Sequence, residues 1–206
     1  MTTSIAVLLS GSGTTLQNLI DRRDAGELDI EIRCVVASRA DAYGLERAHN
    51  HDIPAVAIPR RDFKEHAQYN AAIWEEIEKY EVGLVVLAGY MLFLDVPADY
   101  VNRIMNVHPA LIPAFCGHKM YGHRVHEAVL NFGAKLTGAT VHFVDNQYDH
   151  GPIILQEAIP VQQDDTPDTL AERVQAVERK LYPRAIQLFA DGRLKVEGRI
   201  VTVIDK

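Results

Sequence analysis

The sequence predicts an α/β fold, a Rossmann-like open, twisted and mostly parallel sheet with helices on both faces. Short apolar runs rich in β-branched residues alternate with amphipathic stretches through the first half of the chain. Several runs are continuously apolar, as strands buried on both faces of a parallel sheet are. The 206 residues, 48% hydrophobic and 24% charged, suffice for one domain with a sizeable core, and no linker rich in Gly, Pro or Ser divides them. We therefore expect a single domain over residues 1–206.

Strands and helices alternate regularly in the first half. The predicted strands are IAVLL (5–9), IEIRCVVAS (30–38), AVAI (55–58) and GLVVLAG (83–89). The predicted helices are TTLQNLIDRRDAG (14–26), GLERAHNHD (44–52) and QYNAAIWEEIEKYE (68–81). The first of these helices has its apolar residues at helical spacing and ends on Gly26. This order predicts parallel strands joined by helical crossovers.

The second half departs from this alternation. Its predicted strands are RIMNVH (103–108), GATVHFV (138–144) and PIILQEAIPV (152–161). Its predicted helices are VHEAVLNFG (125–133) and a long one from about Thr169 to Phe189, and a final hairpin (193–204) turns at Glu197-Gly198. Ligands bind outside the carboxyl ends of the strands in an open parallel sheet, so the residues that follow each strand are the candidates for a site.

Charge and cysteine content limit the expected partners. The net charge of −7 argues against a surface that binds nucleic acid or an anionic membrane, so small molecules are the expected ligands. Cys34 and Cys116 provide no disulfide framework, which fits a reducing cytoplasm. The apolar core of the N-terminal segment is too short for a signal peptide. A monomer and a homodimer are both compatible with the sequence.

A glycine-rich turn, SGSGTTL (10–16), joins the first predicted strand to the first predicted helix. Backbone N–H groups and the helix dipole at such a turn favour a bound anion, and Gly13, Thr14 and Thr15 suit a monoester phosphate. The turn is not a P-loop, because no Gly-Lys-Ser/Thr follows. A purely structural turn, capped by Thr14 or Thr15, is an equally good interpretation of this stretch alone.

A second candidate site lies at the end of a predicted strand, in NVHPALIP (106–113). Asn106 and His108 are two residues apart on that strand, so their side chains project from one face. An amide beside an imidazolium stabilises a negative oxygen, such as that of a tetrahedral intermediate in acyl transfer. Asp149 lies in the link between two strands, where its carboxylate would favour the imidazolium of His108 and orient the ring. His142, on the preceding strand, is a candidate support for that carboxylate, although a core histidine is the plainer interpretation.

Five stretches together resemble the phosphoribosylglycinamide formyltransferases, the folate-dependent formyltransferases of purine biosynthesis. They are LLSGSGTTLQNLID, VVLAGYM, NVHPALIP, TGATVHFV and YDHGPIILQ, in matching order and spacing over nearly the whole chain. The Asn-x-His-Pro stretch and the later Asp are common to folate-dependent formyl-transferring and formyl-hydrolysing relatives, and the glycine turn favours this family. The resemblance implies formyl transfer from 10-formyltetrahydrofolate, a co-substrate, to the primary amine of glycinamide ribonucleotide, with no metal.

The resemblance also implies a role for each candidate residue. Asn106 and protonated His108 would stabilise the oxyanion, and Asp149 would keep His108 cationic and organise a water that passes a proton to the departing folate nitrogen. Glu178 would bind the glycinamide end of the substrate. The phosphate loop would be Gly13, Thr14 and Thr15, in a phosphate-binding half (1–100). The folate pocket would lie with the catalytic half (101–206) and be lined by Met91, Leu92, Phe93, Leu94, Asp145, Asn146, Gln147 and Tyr148.

The chain departs from the common pattern of the family at three places. Thr15 and Leu92 stand where the family commonly has Asn and Arg. The segment after Pro113, AFCGHKMYGHRVHEAVL, is longer than the commonest form, and Ala114 stands where Lys is often found.

The alternatives to this function differ in class. A formyltetrahydrofolate hydrolase would keep the same three catalytic residues but deliver water in place of the amine, and the N-terminal regulatory domain of such enzymes is not seen in this sequence. A metal site would use Cys116, His118, His123 and His126, since histidines three apart share a helical face.

A nicotinamide-binding protein would use the glycine turn alone. The turn is only a partial dinucleotide fingerprint, because Leu16 stands at the third glycine position. Arg39, after the second predicted strand, keeps a cofactor with a 2′-phosphate open.

Overall fold

The structure is a computed structural model that describes residues 2–205, and the chain divides into two compact units. The first unit ends at Met105 and the second begins at Asn106. The strands of the first unit are β1 (Thr3–Leu9), β2 (Ile30–Ala37), β3 (Ala55–Ala57) and β4 (Leu84–Leu87). Its helices are α1 (Thr14–Asp24), α2 (Tyr43–His49) and α3 (His66–Glu78), with short 3-10 turns at Arg60–Asp62 and Ala98–Tyr100.

The first unit is a parallel sheet with strand order β3-β2-β1-β4. Residues 5–9 of β1 are fully buried, and β4 is buried along its whole length. Continuous apolar sequence suits these strands because both of their faces are covered. The buried residues of α1, which are Leu16, Leu19 and Ile20, lie at the helical spacing that the sequence shows.

The boundary between the two units lies within β5 (Ile104–His108), so the second unit begins with the last three residues of this strand. Its other strands are β6 (Leu136–Phe143), β7 (Ile153–Pro160), β8 (Leu194–Glu197) and β9 (Ile200–Val203), and its helices are α4 (His123–Phe132) and α5 (Pro167–Ala190). The strand order is β5-β6-β7-β9-β8, and the pairs β6/β7 and β8/β9 are antiparallel. Helix α5 packs against β6, β7 and α4.

The prediction of an open, mostly parallel α/β sheet is confirmed, and each predicted strand and helix is present with small differences at its ends. Helix α5 begins at Pro167, two residues before the predicted start, because Pro at the first helical position needs no hydrogen bond. Its N-cap is Thr166, whose hydroxyl accepts the Thr169 N–H while the Thr169 hydroxyl accepts the Thr166 N–H, at 3.2 and 2.9 Å.

The final hairpin turns one residue later than predicted. Glu197 still pairs with Ile200, so the two-residue turn is Gly198-Arg199, with Gly198 at φ 61. Over residues 2–205, no helix is both long enough and apolar enough to span a membrane.

Candidate functional site

The candidate residues fall into two groups, one in each unit. In the second unit, Asn106 and His108 occupy the end of β5, His142 lies near the end of β6, and Asp149 lies in the connection between β6 and β7. The order β5-β6-β7 places these strand ends side by side within the unit. The structure places Asn106, His108 and Asp149 around one point, with His142 between the amide and the carboxylate.

His108 and Asp149 form a close pair of opposite potential charge. His108 Nδ1 lies 3.5 Å from Asp149 Oδ2, and the two side chains are only 4% and 13% exposed. Water screens charges weakly at such burial, so the carboxylate and the ring nitrogen interact strongly. The same carboxylate oxygen accepts the Gly117 N–H at 2.8 Å, which holds it in place.

The other ring nitrogen of His108 faces the loop that follows β5. His108 Nε2 lies 2.9 Å from the Phe115 carbonyl oxygen, which only accepts, so the hydrogen bond requires a proton on Nε2. Because Asp149 takes the Nδ1 side, Nε2–H is the donor that a ligand oxygen would use. In this conformation the Phe115 carbonyl occupies that position.

His142 is buried, as the interpretation of a core histidine expects, and it contacts Asn106 more closely than it contacts Asp149. Burial lowers the pKa of His142, outweighing the opposite effects of the Phe143 carbonyl and Asp149, so the ring is neutral at neutral pH. Its Nδ1–H donates to Phe143 O at 2.7 Å, which leaves Nε2 as an acceptor. The Asn106 Nδ2 group donates to that nitrogen at 3.3 Å, whereas Asp149 Oδ1, another acceptor, is 3.8 Å away. The amide of Asn106 is thereby oriented with one N–H still available.

The glycine turn of the first unit is shaped by Gly13. This residue is the N-cap of α1 at φ 70, and no side chain caps the helix there, so Thr14 and Thr15 do not take the capping role. A Cβ on Gly13 would lie 2.6 Å from Gly44 Cα. The first turn of α1 contains no acidic residue, so nothing on the helix itself opposes the positive end of its dipole.

Two residues that the sequence interpretation missed hold this turn. The Ser10 hydroxyl accepts hydrogen bonds from the Met91 N–H and the Ser38 hydroxyl, at 2.9 and 2.7 Å. Arg47 donates through Nε to Ser12 O at 2.8 Å. Ser10 begins the SGSGTTL stretch and Arg47 lies outside it, but neither contact is recognisable from the sequence, because a hydrogen bond across 35 or 81 positions leaves no local pattern.

The predicted folate-binding residues are divided between the two units, and each segment is a loop. In the first unit, residues 91–94 follow β4; Met91 is 48% exposed, whereas Leu94 is buried in the core. In the second unit, Asp145 accepts the Gln147 N–H and lies 2.7 Å from His150 Nδ1, which gives the loop a fixed turn. The exposed Tyr148 ring lies 5.3 Å from that of His118.

Glu178 lies in the middle of α5. Burial raises the pKa of its carboxyl to about 7, although Arg179 acts in the opposite direction. A half-buried carboxyl that is close to its neutral form at pH 7 is suited to receive a cationic or hydrogen-bonding ligand group.

The two non-folate alternatives receive no support from the geometry. The proposed metal ligands have other contacts: Cys116 Sγ lies against Pro113 O, and His123 lies 3.4 Å from Asp168. Across residues 2–205, no three His, Cys, Asp or Glu side chains come together as a metal cluster. The residue proposed for a 2′-phosphate, Arg39, instead pairs with Asp41 on the surface, at 2.6 Å.

The fold places an amide, an imidazole and a carboxylate at adjoining strand ends, an arrangement that suits an acyl-transfer enzyme, and comparison with known proteins identifies the family. A model of the family described as formyl transferase matches residues 3–186. The chain therefore belongs to the formyl transferase family.

Individual relatives narrow the likeness further. The crystal structure of glycinamide ribonucleotide transformylase 1 from Symbiobacterium toebii is 43% identical, with a TM-score of 0.92, and the match covers 98% of this chain and 94% of that one. Phosphoribosylglycinamide formyltransferase of Escherichia coli (strain K12) is 39% identical over 94% of this chain and 90% of its own length. The trifunctional purine biosynthetic protein adenosine-3 of Bos taurus is 40% identical over 98% of this chain, which spans only 20% of that protein.

The conformation of Gly13 predicts that a side chain at this position is costly. Gly13→Ala places a Cβ in the left-handed region and against Gly44, and we expect it to lower the free energy of unfolding by about 1–3 kcal/mol in urea titrations. Gly11→Ala is the matched control, because a Cβ at Gly11 meets nothing within 4 Å. We expect it to change stability by less than about 0.5 kcal/mol. Equal effects of the two substitutions would contradict this account of the turn.

The raised pKa of the Glu178 carboxyl predicts a pH-dependent loss of stability. Its pKa is about 7 in the folded protein against 4.5 as the ordinary value, so the folded state retains a proton that the unfolded state releases between these pH values. The contribution of Glu178 to stability therefore falls as pH rises from about 4.5 to about 7. Glu178→Gln removes this effect, and we expect it to raise the Tm relative to the native protein more at pH 8 than at pH 5.

The control for Glu178→Gln is Glu172→Gln, at an exposed position of the same helix. We expect its Tm to follow that of the native protein at both pH values. If Glu178→Gln shifts the Tm equally at pH 5 and pH 8, Glu178 is not the buried acid described here.

Proposed function

We propose that this protein transfers the formyl group of 10-formyltetrahydrofolate to the amine of glycinamide ribonucleotide, a step of de novo purine biosynthesis. The observation that carries the proposal is the cluster of Asn106, His108 and Asp149 at adjoining strand ends, in a chain of the formyl transferase family. The high identity to phosphoribosylglycinamide formyltransferases over nearly the whole chain supports this choice of acceptor.

In the proposed reaction, Asn106 and His108 stabilise the oxygen of the formyl group as the amine attacks its carbon. The amide N–H of Asn106 that His142 leaves available and the Nε2–H of His108 are the two donors. The formyl oxygen takes the position that the Phe115 carbonyl occupies, so the segment around Phe115 moves when the folate binds. Donors that are fixed before the reaction stabilise the developing charge without reorganising.

Asp149 has two roles in this proposal. It keeps His108 in the imidazolium form, because its carboxylate lies beside Nδ1 in a site that excludes most water. It also orients a water molecule that relays the proton lost by the amine to the folate nitrogen as the tetrahedral intermediate breaks down. The Gly117 N–H fixes the carboxylate for both roles.

The acceptor and the donor use different surfaces in the proposal. The phosphate of glycinamide ribonucleotide binds at Gly13, Thr14 and Thr15, where the end of α1 is positive and unopposed by an acidic residue on the helix. Glu178 receives the glycinamide end. The folate lies along residues 91–94 and 145–148, and the chemistry uses no metal.

We also propose one formyltransferase domain, in which the first unit supplies the phosphate site and the second unit supplies the catalytic residues. The two free cysteines, of which Cys34 is buried, are consistent with a reaction in the cytoplasm.

The test of the proposed function is a folate-release assay with and without glycinamide ribonucleotide. We expect release of tetrahydrofolate from 10-formyltetrahydrofolate to depend on the ribonucleotide, with formylglycinamide ribonucleotide as the second product. Glycinamide riboside, which lacks the phosphate, should bind far less tightly. Release at the same rate without any amine would instead identify a formyltetrahydrofolate hydrolase and overturn the proposal.

The role of His108 predicts a large loss of turnover when its ring is removed. We expect His108→Ala to lower kcat by about 10²–10³-fold, because one positioned oxyanion donor contributes about that much. His49→Ala, at an exposed position of α2, is the control and should retain native kcat. Steady-state kinetics of the two variants decide the matter, and near-native turnover of His108→Ala would remove this residue from the mechanism.

A further inference from the structure

The loop that follows β5 is held by side chains from the two neighbouring strands. The Thr140 hydroxyl, on β6, accepts the Ile112 N–H at 3.1 Å and donates to Ala110 O at 2.7 Å. The Gln156 side chain, on β7, donates from Nε2 to Ile112 O at 2.9 Å and to the Thr140 hydroxyl at 2.9 Å. The backbone of residues 110–112 is thus bound at two carbonyls, those of Ala110 and Ile112, and at the Ile112 N–H.

The two side chains act as one unit, because the sheet places them side by side. Thr140 and Gln156 are direct partners in the antiparallel ladder of β6 and β7. Thr140 is fully buried, and its hydroxyl makes one donated and two accepted hydrogen bonds, which is its full capacity. Gln156 is an exposed residue whose side-chain amide is turned toward Thr140 and Ile112. Its side chain therefore does not serve to fill the core.

The loop held by this pair connects directly to the catalytic cluster. It begins after His108 and leads to Phe115, whose carbonyl accepts the His108 Nε2–H, and to Gly117, whose N–H binds Asp149. A shift of residues 110–112 would therefore displace the Gly117 N–H that holds the Asp149 carboxylate beside His108. Thr140 lies two residues before His142 on β6, so one face of that strand supports both the loop and Asn106.

We propose that Gln156 is a positioning residue for formyl transfer, acting through Thr140 and residues 110–112 on the placement of His108 and Asp149. The inference rests on the proposed function. It assigns Gln156 no contact with either substrate, so loss of its amide should affect kcat and leave KM for both substrates nearly unchanged.

The first test is the steady-state kinetics of Gln156→Met, which keeps the side-chain length and removes the donor. We expect kcat to fall about 10–100-fold with each KM within about twofold of native, since small misplacement of catalytic groups costs up to about 10²-fold. Gln162→Met, the same substitution at an exposed position beyond the end of β7, is the matched control and should be native in both constants.

Thr140 provides an independent pair of variants. Thr140→Val removes the hydroxyl that links Gln156 to the loop, and we expect a fall in kcat at least as large as for Gln156→Met. Thr140→Ser keeps the hydroxyl and should recover most of that loss. Equal kcat for the Val and Ser variants would show that the hydroxyl is not the link and would overturn the inference.

A second measurement separates loop displacement from loss of folding. Cys116 lies in the loop after β5, between Phe115 and Gly117, with Sγ 3.3 Å from Pro113 O. Cys34 is 1% exposed, and burial raises its pKa to about 12. Alkylation of Cys116 should therefore report the state of the loop, and alkylation of Cys34 should report global unfolding. In Gln156→Met we expect Cys116 to react several-fold faster than in the native protein, while Cys34 stays protected.

Each outcome decides the inference. A lower kcat with faster labelling of Cys116 alone supports it. Native kcat, a rise in KM at native kcat, or a loss of kcat that matches the fraction of protein labelled at both cysteines would overturn it. If the native protein itself fails to transfer a formyl group to glycinamide ribonucleotide, the proposed function fails instead, and faster labelling of Cys116 in Gln156→Met would still show that Gln156 holds the loop.

Discussion

The electrostatic pairing of Asp149 with His108 is the interaction on which the rest of the second unit's site depends. A carboxylate that is 13% exposed beside an imidazole that is 4% exposed is stable only when both are well bonded, because burial of an unpaired charge is costly. The structure supplies those bonds from the backbone: the Gly117 N–H to the carboxylate and the Phe115 carbonyl to the imidazole. Both come from the loop after β5, so this loop completes the hydrogen bonding of His108 and Asp149.

The backbone around this pair adopts conformations that most residues avoid. Asp149 and Phe115 have φ near 50, and Gly117 has φ 96. Left-handed residues other than glycine persist where the surrounding contacts hold them, and they cluster at functional sites. Here the Phe115 carbonyl and the Asp149 carboxylate face His108, and the Gly117 N–H faces that carboxylate.

A second set of contacts orients the Asn106 side chain and accounts for the glycine at position 151. His142 orients Asn106 because its Nδ1–H is bound to the Phe143 carbonyl. That carbonyl faces Gly151, where a Cβ would overlap it, so the close approach of the two backbones requires glycine. The end of β6, the buried His142 and the amide of Asn106 thus form one connected arrangement, and Gly151 is part of it.

The sequence by itself determined the features that depend on local chemistry. Apolar runs gave the strands, 3.6-residue spacing gave the helices, and Asn106 and His108 were identifiable because residues two apart on a strand share a face. Asp149 is identifiable as a candidate partner of His108 because the link between the two predicted strands that contains it has to lie beside that strand end. The tertiary structure decided the rest: that His142 serves Asn106 before Asp149, that Phe115 and Gly117 act through their backbones, and that Thr140 and Gln156 hold the loop. These contacts join backbone groups or partners many positions apart, and neither kind of contact leaves a periodic pattern in the order of amino acids.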